Sequence, residues 1–299
     1  MSNVPVPVAT LTYEPFSLEP EYIEVNRAFI AELGLGARRV IADLAAGTGA
    51  MTALVLDALP LEPDAGRRQT TVVGIELSDE AIGLAQAHVS AVCRDSSAVA
   101  FVRGSIDDLP LPVNSLDAAV IGNAIQLLPD KKGLVREIHS ALRPEGLFGF
   151  NTSFYAGAYL AGTERFYLQW VQQAVRYITA SRSPTAFVGK ERRHRGKATP
   201  AFSNRWLSPD EYRQLLEGQG FELVHEAERT VDLTIDCLRS IGAYPGLASV
   251  LLSGYPVPLA CEALAAAAEP ALDACGLTVV PRGWLEMSAI KADASCGPR

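Results

Sequence analysis

Apolar runs of strand length alternate with helix-like stretches through the first half of the chain. The runs are rich in β-branched residues and lack the apolar–polar alternation of a half-exposed strand, which predicts strands buried on both faces. Because helical stretches separate them, we expect parallel strands joined by right-handed crossovers in a doubly wound α/β sheet. The predicted strands are 38–45, 70–77, 98–104, 116–125 and 147–154.

Helix signals fill the gaps between these strands. Their apolar positions recur at helical spacing, and the predicted segments are 49–60, 78–92 and 131–146. We expect the last of them to be stopped by Pro144 and Gly146, because proline and glycine terminate helices.

The pattern changes after residue 154. The aromatic-rich stretch 155–180 predicts one long helix, and a basic segment follows it. A helix at 208–220 leads into a strand at 221–233, and a final strand at 283–292 follows an Ala-rich helical stretch. These two strands complete a mostly parallel seven-stranded sheet that carries helical lid insertions.

The composition fits a globular protein with a sizeable core. The chain has 299 residues, of which 48% are hydrophobic and 20% charged, and its net charge is −8. Such an acidic protein is a poor general binder of nucleic acid, because affinity for the phosphate backbone rests on basic surface. The five cysteines form no CxxC pair, which indicates free thiols in a reducing, cytoplasmic compartment and no metal site.

One uncharged stretch tests the expectation of a cytoplasmic protein. Ser240–Cys261 has no charged residue over 22 positions, about the length of a membrane-spanning helix. Glycines and prolines divide it into short pieces, so we expect buried helices or a lid and no membrane span. Burial by a second copy of the chain, in a homodimer, is an alternative. The proline-rich N-terminus lacks the pattern of a leader sequence.

The segment 41–52, IADLAAGTGAMT, passes from a buried strand to a helix through small residues. Glycines at the first turn of a doubly wound sheet let a ligand approach the main chain, and Gly47 and Gly49 fit either this role or a plain tight turn. Glu76 follows Gly49 by 27 residues, at the end of the second strand. It fits an acid that accepts both ribose hydroxyls of an adenosine, or a solvated acid beside a helix start.

Four sequence blocks, which begin at residues 40, 72, 103 and 142, share one family pattern. They are VIADLAAGTGAMT, VVGIELS, RGSIDDLPLPVNSLDAAVIGNAIQLLPD and LRPEGLFGF. Together they resemble class I S-adenosylmethionine-dependent methyltransferases, in the small-molecule branch near the ubiquinone- and menaquinone-biosynthesis enzymes. The resemblance covers about 38–154 and implies a Rossmann-like methyltransferase fold, S-adenosyl-L-methionine as cofactor and a role in secondary metabolism.

The resemblance also assigns positions in the cofactor site. Asp43, near the cofactor's ammonium group, and three small residues would line its methionine end. The other assigned residues would lie near the ribose, the adenine and the sulfonium group of the cofactor. The assigned residues are Asp43, Ala45, Gly47, Gly49, Glu76, Leu77, Ser105, Ile106, Asp107, Asn123 and Ala124.

Three positions depart from the family pattern. Ala45 replaces a glycine, a substitution that the family often tolerates. Ser105 replaces an aspartate that contacts the adenine amino group, so adenine binding would rest on Ile106 and the backbone. Gln126 stands where many relatives have a histidine, which removes a base from that position.

The resemblance and the element pattern divide the chain into four segments. These are an N-terminal helical lid, the cofactor-binding core, a helical and basic-loop lid over the substrate, and a segment that completes the sheet around a helical insertion. Their bounds are 1–37, 38–154, 155–206 and 207–299, with the insertion at about 234–280. No linker or repeat separates them, so we expect a single domain with insertions.

The expected reaction is methyl transfer to carbon or oxygen of a small, largely apolar acceptor of natural-product or isoprenoid type. It is an in-line displacement with a good leaving group, so the protein mainly has to align the reactants. The candidate catalytic residues are Tyr13, in the N-terminal segment, and His194, in the basic segment. Tyr13 fits surface packing equally well.

Two stretches after the core are candidates for the acceptor site. The aromatic residues of the predicted helix share one face and fit either core packing or a wall for an apolar acceptor. They are Tyr159, Phe166, Trp170 and Tyr177. The segment 181–206 has seven basic residues and one acidic residue, which fits a solvated loop or a clamp for an anionic or carrier-bound acceptor. It carries no nucleic-acid-binding motif.

Two other functions stay open. A nicotinamide-dependent enzyme uses a similar loop, but Met51 and Thr52 stand where its GxGxxG motif has a further glycine. The second alternative is a methyltransferase-fold protein that binds the cofactor without transferring methyl, as a binding or regulatory subunit or with different chemistry in the pocket.

Overall fold

The computed structural model describes residues 13–60, 70–93, 98–106, 108–180 and 205–292. Asp107, His194 and most of the basic segment, 181–204, lie outside these residues. The strands are β1 (Val40–Leu44), β2 (Thr71–Glu76), β3 (Val99–Arg103), β4 (Leu116–Gly122), β5 (Leu142–Thr152), β6 (Phe221–Leu233) and β7 (Val280–Lys291). The α-helices are α1 (Glu14–Ser17), α2 (Pro20–Glu32), α3 (Ala50–Asp57), α4 (Asp79–Val92), α5 (Lys131–Ala141), α6 (Glu164–Ala180), α7 (Pro209–Glu217), α8 (Ile235–Gly242), α9 (Pro245–Leu251) and α10 (Val257–Cys275).

The described strands form one sheet of seven in the order β3-β2-β1-β4-β5-β7-β6. The first five strands run parallel, and β7 is antiparallel to β5. The strand order reverses between β1 and β4, which is the position where doubly wound sheets bind ligands at the carboxyl ends of their strands. The predicted fold class, a doubly wound and mostly parallel seven-stranded α/β sheet, is confirmed.

Side-chain caps fix the starts of three helices that flank the sheet. Ser78 and Asp130 cap α4 and α5, because each side chain accepts the backbone N–H three residues further on. Ser208 opens α7 with a capping box that Glu211 completes. The chain therefore turns into α4 directly after β2, beside the predicted cofactor site.

The boundary between α5 and β5 differs from the prediction. The helix ends at Ala141 and the strand begins at once with Leu142, which pairs with Leu116 on β4 and is buried. Arg143 precedes Pro144, and a residue before proline disfavours the helical conformation. Residues 142–146 therefore belong to β5, with Leu142 and Gly146 buried and 143–145 exposed, although the sequence predicts them as helix.

The prediction of one helix over 155–180 is wrong for its first nine residues, because α6 begins at Glu164. Gly157 and Gly162 have φ of +126° and +91°, conformations that a right-handed helix does not contain. Tyr159 therefore does not share a helix face with the aromatic residues of α6.

The described residues group into two compact units, of which the core unit contains the parallel strands. Its described residues come from Tyr22–Ala158, Trp206–Arg229 and Gly283–Arg299. Apolar side chains of α2 and α3 pack on one face of the sheet, and those of α5 and α7 pack on the other. The core unit therefore has the layered arrangement of a doubly wound fold.

The helical unit has a core of its own. Its described residues come from Met1–Glu21, Tyr159–Arg205 and Thr230–Arg282. Phe166 and Trp170 of α6 are buried, and the Trp170 indole N–H donates to the Leu264 carbonyl oxygen of α10 at 2.7 Å. These two aromatic residues are core residues, which favours the core interpretation of the aromatic stripe over the substrate wall.

The uncharged stretch 240–261 is divided as predicted. It contains the end of α8, all of α9 and the start of α10. In the part of the chain that the structure describes, every helix falls short of the length and apolarity that a bilayer crossing needs.

Candidate cofactor site

Asp43 places a buried carboxylate near the end of β1. Thr52, in the first turn of α3, donates its hydroxyl to Asp43 Oδ2 at 2.5 Å. Oδ1 is buried and has no hydrogen-bond partner among the described residues. Burial, opposed by the Thr52 hydrogen bond and assisted by the charge of Glu76, raises the pKa of Asp43 to about 7. A cation placed beside Oδ1 would relieve this cost, so the site suits an ammonium group.

The loop after β1 contains three residues with left-handed backbone: Ala45, Gly47 and Gly49, with φ of +57°, +54° and +85°. A Cβ at Gly49 would lie 3.1 Å from the backbone of Ala85 on α4, a tight contact that adds to the strain of a left-handed backbone, so glycine is favoured there. A Cβ at Gly47 would meet nothing within 4 Å. The main chain at Gly47 therefore borders open space, where a ligand can approach it.

Three backbone amides fix the carboxylate of Glu76 at the end of β2. Gly47 N–H donates to Oε2 at 2.9 Å, and the N–H groups of Leu77 and Ser78 donate to Oε1 at 2.8 and 3.0 Å. A carboxylate has about four acceptor positions, so about one is left for a ribose hydroxyl. Accepting both hydroxyls, as the sequence predicts, would require one of the amide bonds to lengthen.

Asn123, directly after β4, has left-handed backbone with φ of +49°. Its N–H donates to the backbone and side-chain oxygens of Asn151, and its Oδ1 accepts from the N–H and hydroxyl of Ser153. Gln126 Nε2 donates to the Asn123 carbonyl oxygen at 2.7 Å. Asparagine tolerates this conformation better than most residues, and these bonds hold it in place.

Gln126 has a structural role in this loop. It is buried, and its Oε1 accepts the hydroxyl of Thr152 on β5 at 2.8 Å. Lys131 also supports the loop, because its ammonium group donates to the Leu128 carbonyl oxygen at 2.7 Å. Burial lowers the pKa of Lys131.

A side-chain amide pair that the sequence analysis missed ties α2 to the sheet. Asn151 Nδ2 donates to Asn26 Oδ1 at 2.8 Å, and Asn26 Nδ2 donates to the Tyr22 carbonyl oxygen. Burial, together with the negative charge of Asp43, raises the pKa of Tyr22. The polar run Asn-Thr-Ser at 151–153, at the end of an apolar strand, was the available signal.

The remaining predicted cofactor residues lie on the core unit with different exposures. Leu77 is 62% exposed, which suits a residue that would pack on a ligand. Ser105 forms an isolated β-bridge with Asp108. Ile106 and Ala124 pack in the core of this unit.

The two catalytic candidates are not among the residues gathered in the core unit. Tyr13 belongs to the helical unit, where its ring lies edge-on to Phe16 and Tyr244 at centroid distances of 5.3 and 5.1 Å. His194 lies outside the described residues. Their catalytic roles stay predictions.

Comparisons with known proteins find similarity for part of the core unit. Residues 42–150 match the family model described as a methyltransferase domain. A demethylmenaquinone methyltransferase of Symbiobacterium thermophilum is 28% identical over 123 residues, 41% of this chain and 46% of the relative. The chain spans about half the length of the curated relatives it matches.

Two solved structures share the fold at low sequence identity. A candidate methyltransferase of Bacillus halodurans C-125 superposes with a TM-score of 0.55 and 14% identity, over 90% of this chain and all of the other. The [4+2]-cyclase SpnF superposes with a TM-score of 0.52 and 17% identity, over 91% of this chain and 82% of the other. The match over 42–150 confirms the predicted resemblance to methyltransferases for this part of the chain, and the two solved structures share its fold.

Proposed function

We propose that the protein transfers a methyl group from S-adenosyl-L-methionine to carbon or oxygen of a small, largely apolar acceptor. The observation that carries the proposal is the unpartnered, buried oxygen of Asp43 beside a loop whose main chain is open at Gly47. An ammonium group would pair with the Asp43 oxygen, and a ligand can approach the main chain closely at Gly47.

The residues of the core unit have distinct roles in this proposal. The bound cofactor supplies an activated methyl group on a sulfonium, which needs no further activation. Asp43 binds the ammonium group, and Glu76 accepts a ribose hydroxyl. Asn123, fixed by its hydrogen bonds to Asn151 and Ser153, shapes the loop beside the reacting groups. Catalysis then rests mainly on alignment.

An acceptor of isoprenoid or other natural-product type is the finer part of the proposal. It is supported by the name of the relative, a demethylmenaquinone methyltransferase. The lid roles of 1–37, 155–206 and the insertion at about 234–280 stay predictions, as do a homodimer, a cytoplasmic location and an anionic or carrier-bound acceptor.

A second function is compatible with the same cofactor site. The [4+2]-cyclase SpnF has this fold, which favours keeping the alternative of cofactor binding with other chemistry. Formation of S-adenosylhomocysteine distinguishes the two, because only methyl transfer to an acceptor produces it stoichiometrically with a methylated product.

The test is a calorimetric titration of the protein with S-adenosylmethionine and, separately, NADPH. We expect S-adenosylmethionine alone to bind. Gly47→Arg fills the open space at the loop and Glu76→Ala removes the ribose acceptor, so both should weaken binding at least tenfold. Glu80→Ala, an exposed acid in the first turn of α4, is the matched control and should bind normally. Absence of binding to the unmodified protein would contradict the proposal.

A further inference from the structure

A buried donor and a buried acceptor without partners lie on one face of β7. Trp284 and Glu286 are both 0% exposed, and neither Trp284 Nε1 nor Glu286 Oε2 has a hydrogen-bond partner among the described residues. Each unmatched buried group destabilises the folded state, because it has lost its hydrogen bonds to water without gaining others. Such exceptions are rare in folded proteins and call for an explanation.

Strand geometry places the two side chains next to each other. Alternate residues of a strand point to the same face, and their Cα atoms are about 6.6 Å apart. The two side chains are therefore neighbours on this face, and a group that bridges Trp284 Nε1 and Glu286 Oε2 would have to lie between them.

The sheet register puts this pair beside the cofactor site. Glu286 pairs with Asn151 on β5, and Asn151 pairs with Gly122 at the end of β4. The pair therefore lies at the carboxyl edge of the parallel strands, two strands from the loop that Asn123 begins. The ring of Tyr22, on α2, lies edge-on to the Trp284 ring at a centroid distance of 6.0 Å.

Arg229 on β6 orients the Glu286 carboxylate. Its Nε donates to Oε1 at 2.7 Å, which leaves Oε2 available. His225 Nε2 is 3.8 Å from Oε2, beyond hydrogen-bond distance. Glu32 of α2 lies 3.8 Å from the Arg229 guanidinium. The pKa of Glu286 is raised, because burial outweighs the Arg229 hydrogen bond and charge, which lower it.

We propose that Trp284 and Glu286 bind a hydroxyl group of the acceptor, an inference that rests on the proposed methyl transfer. The Trp284 indole can only donate, and a carboxylate oxygen can only accept. A hydroxyl group satisfies both at once, because it has one proton to donate and lone pairs to accept with. An ether or a ketone satisfies only the donor, and a hydrocarbon satisfies neither. The acceptor class is therefore an apolar molecule with a phenolic, enolic or alcoholic hydroxyl.

The experiment compares three probes that share one ring system. The full-length protein, with and without S-adenosylhomocysteine, is titrated calorimetrically with 1-naphthol, 1-methoxynaphthalene and naphthalene. We expect 1-naphthol to bind at least tenfold more tightly than the other two. Trp284→Phe keeps an aromatic ring and removes the N–H, and Glu286→Gln keeps the shape and removes the charge. Each should reduce the preference for 1-naphthol about fivefold or more.

Glu226→Gln is the matched control, since this residue of β6 pairs with Arg213 on α7. It should leave the preference unchanged. Equal binding of 1-naphthol and 1-methoxynaphthalene, no binding of any probe, or an unchanged preference in both Trp284→Phe and Glu286→Gln would overturn the proposal. The same samples are also titrated with S-adenosylmethionine. If S-adenosylmethionine binds but the preference for 1-naphthol is absent, only this proposal fails. If S-adenosylmethionine does not bind, the proposed function fails, and the probe preference measured without cofactor still tests the hydroxyl site.

Discussion

The buried carboxylate of Asp43 makes cofactor affinity depend on pH. Its pKa in the folded protein is about 7, against a usual value of 3.8. A proton and the ammonium group of the cofactor compete for this carboxylate. We therefore expect the affinity for S-adenosylhomocysteine, which has the same amino-acid end as the methyl donor, to fall as the pH drops below 7. The slope should approach tenfold per pH unit, with little change above pH 8.

The stability of the unliganded protein should change with pH in the opposite direction to the cofactor affinity. The folded state holds a proton on Asp43 more tightly than the unfolded state, so this group destabilises the protein as the pH rises from about 4 to 7.

Calorimetric titrations with S-adenosylhomocysteine between pH 5.5 and 8.5 measure the predicted change in affinity, with Asp43→Asn as the control. An equally steep slope in Asp43→Asn would assign the effect to another group.

The two glycines of the loop should respond differently to alanine. Gly49→Ala brings a Cβ to 3.1 Å from the backbone of Ala85 at φ of +85°, so we expect it to lower the free energy of unfolding by about 2 kcal/mol or more. Gly47→Ala meets no neighbour and should cost about 1 kcal/mol, from backbone strain alone. Urea unfolding of both variants measures the difference. Equal losses would mean that packing on α4 is not what requires Gly49.

The site residues could be predicted where they lie at a fixed spacing along the chain. The strand-to-helix glycines and the acid at the end of β2 have a recognisable spacing, and the structure brings Gly47 and Glu76 into a hydrogen bond. The contact between Asn26 and Asn151 joins residues far apart in the sequence, and no spacing rule indicates it. The same holds for Trp284 and Glu286, whose missing partners only coordinates reveal.

At the scale of the elements, one buried amide pair fastens α2 to β5. Asn26→Leu should lower the free energy of unfolding by about 1–3 kcal/mol, because it leaves the Asn151 amide buried without its acceptor. The exposed Glu24→Ala on the same helix should change it by less than about 0.5 kcal/mol. Chemical denaturation compares the two variants.

A double variant shows whether the loss belongs to the pair. Suppose that Asn26→Leu lowers the free energy of unfolding as much in an Asn151→Leu background as in the unmodified protein. The contact between the two amides is then not the cause of the loss.

The strands were easier to predict than the element boundaries. Buried parallel strands are continuous apolar runs, so β1, β2 and β4 are visible in the sequence. The start of β5 is not, because Leu142 satisfies both the helical pattern of α5 and the sheet, and its pairing with Leu116 decides between them. The aromatic periodicity continues through Gly157 and Gly162 and therefore predicts a start of α6 nine residues too early. The backbone of these two glycines excludes a helix.

At the scale of the whole molecule, cofactor binding should stabilise the protein against heat. S-adenosylhomocysteine at about 100 times its Kd should add about 2.7 kcal/mol to the free energy of unfolding and raise Tm by several degrees. With binding at least tenfold weaker, the same concentration should add at most about 1.4 kcal/mol to the stability of Gly47→Arg, so its rise in Tm should be about half as large or less. Scanning calorimetry measures both, and an equal rise with NADPH would contradict the assignment of the cofactor.

The sequence predicted the class of the whole molecule but not its division into two units. Each unit is assembled from three separate stretches of chain, and the stretches of one unit alternate with those of the other. No linker marks the exchange points, so only contacts in three dimensions reveal them.

The position of β7 has a consequence for biosynthesis. In the sheet order this strand lies between β5 and β6, although it is the last of the described strands in the chain. While a ribosome is still making the chain, β6 has emerged but has no neighbour to pair with, and the edge of β5 stays open. An open edge is a template for pairing with another chain. The nascent protein therefore keeps these open edges until β7 has left the ribosome, and a chain that ends before β7 should aggregate more readily than the full-length protein.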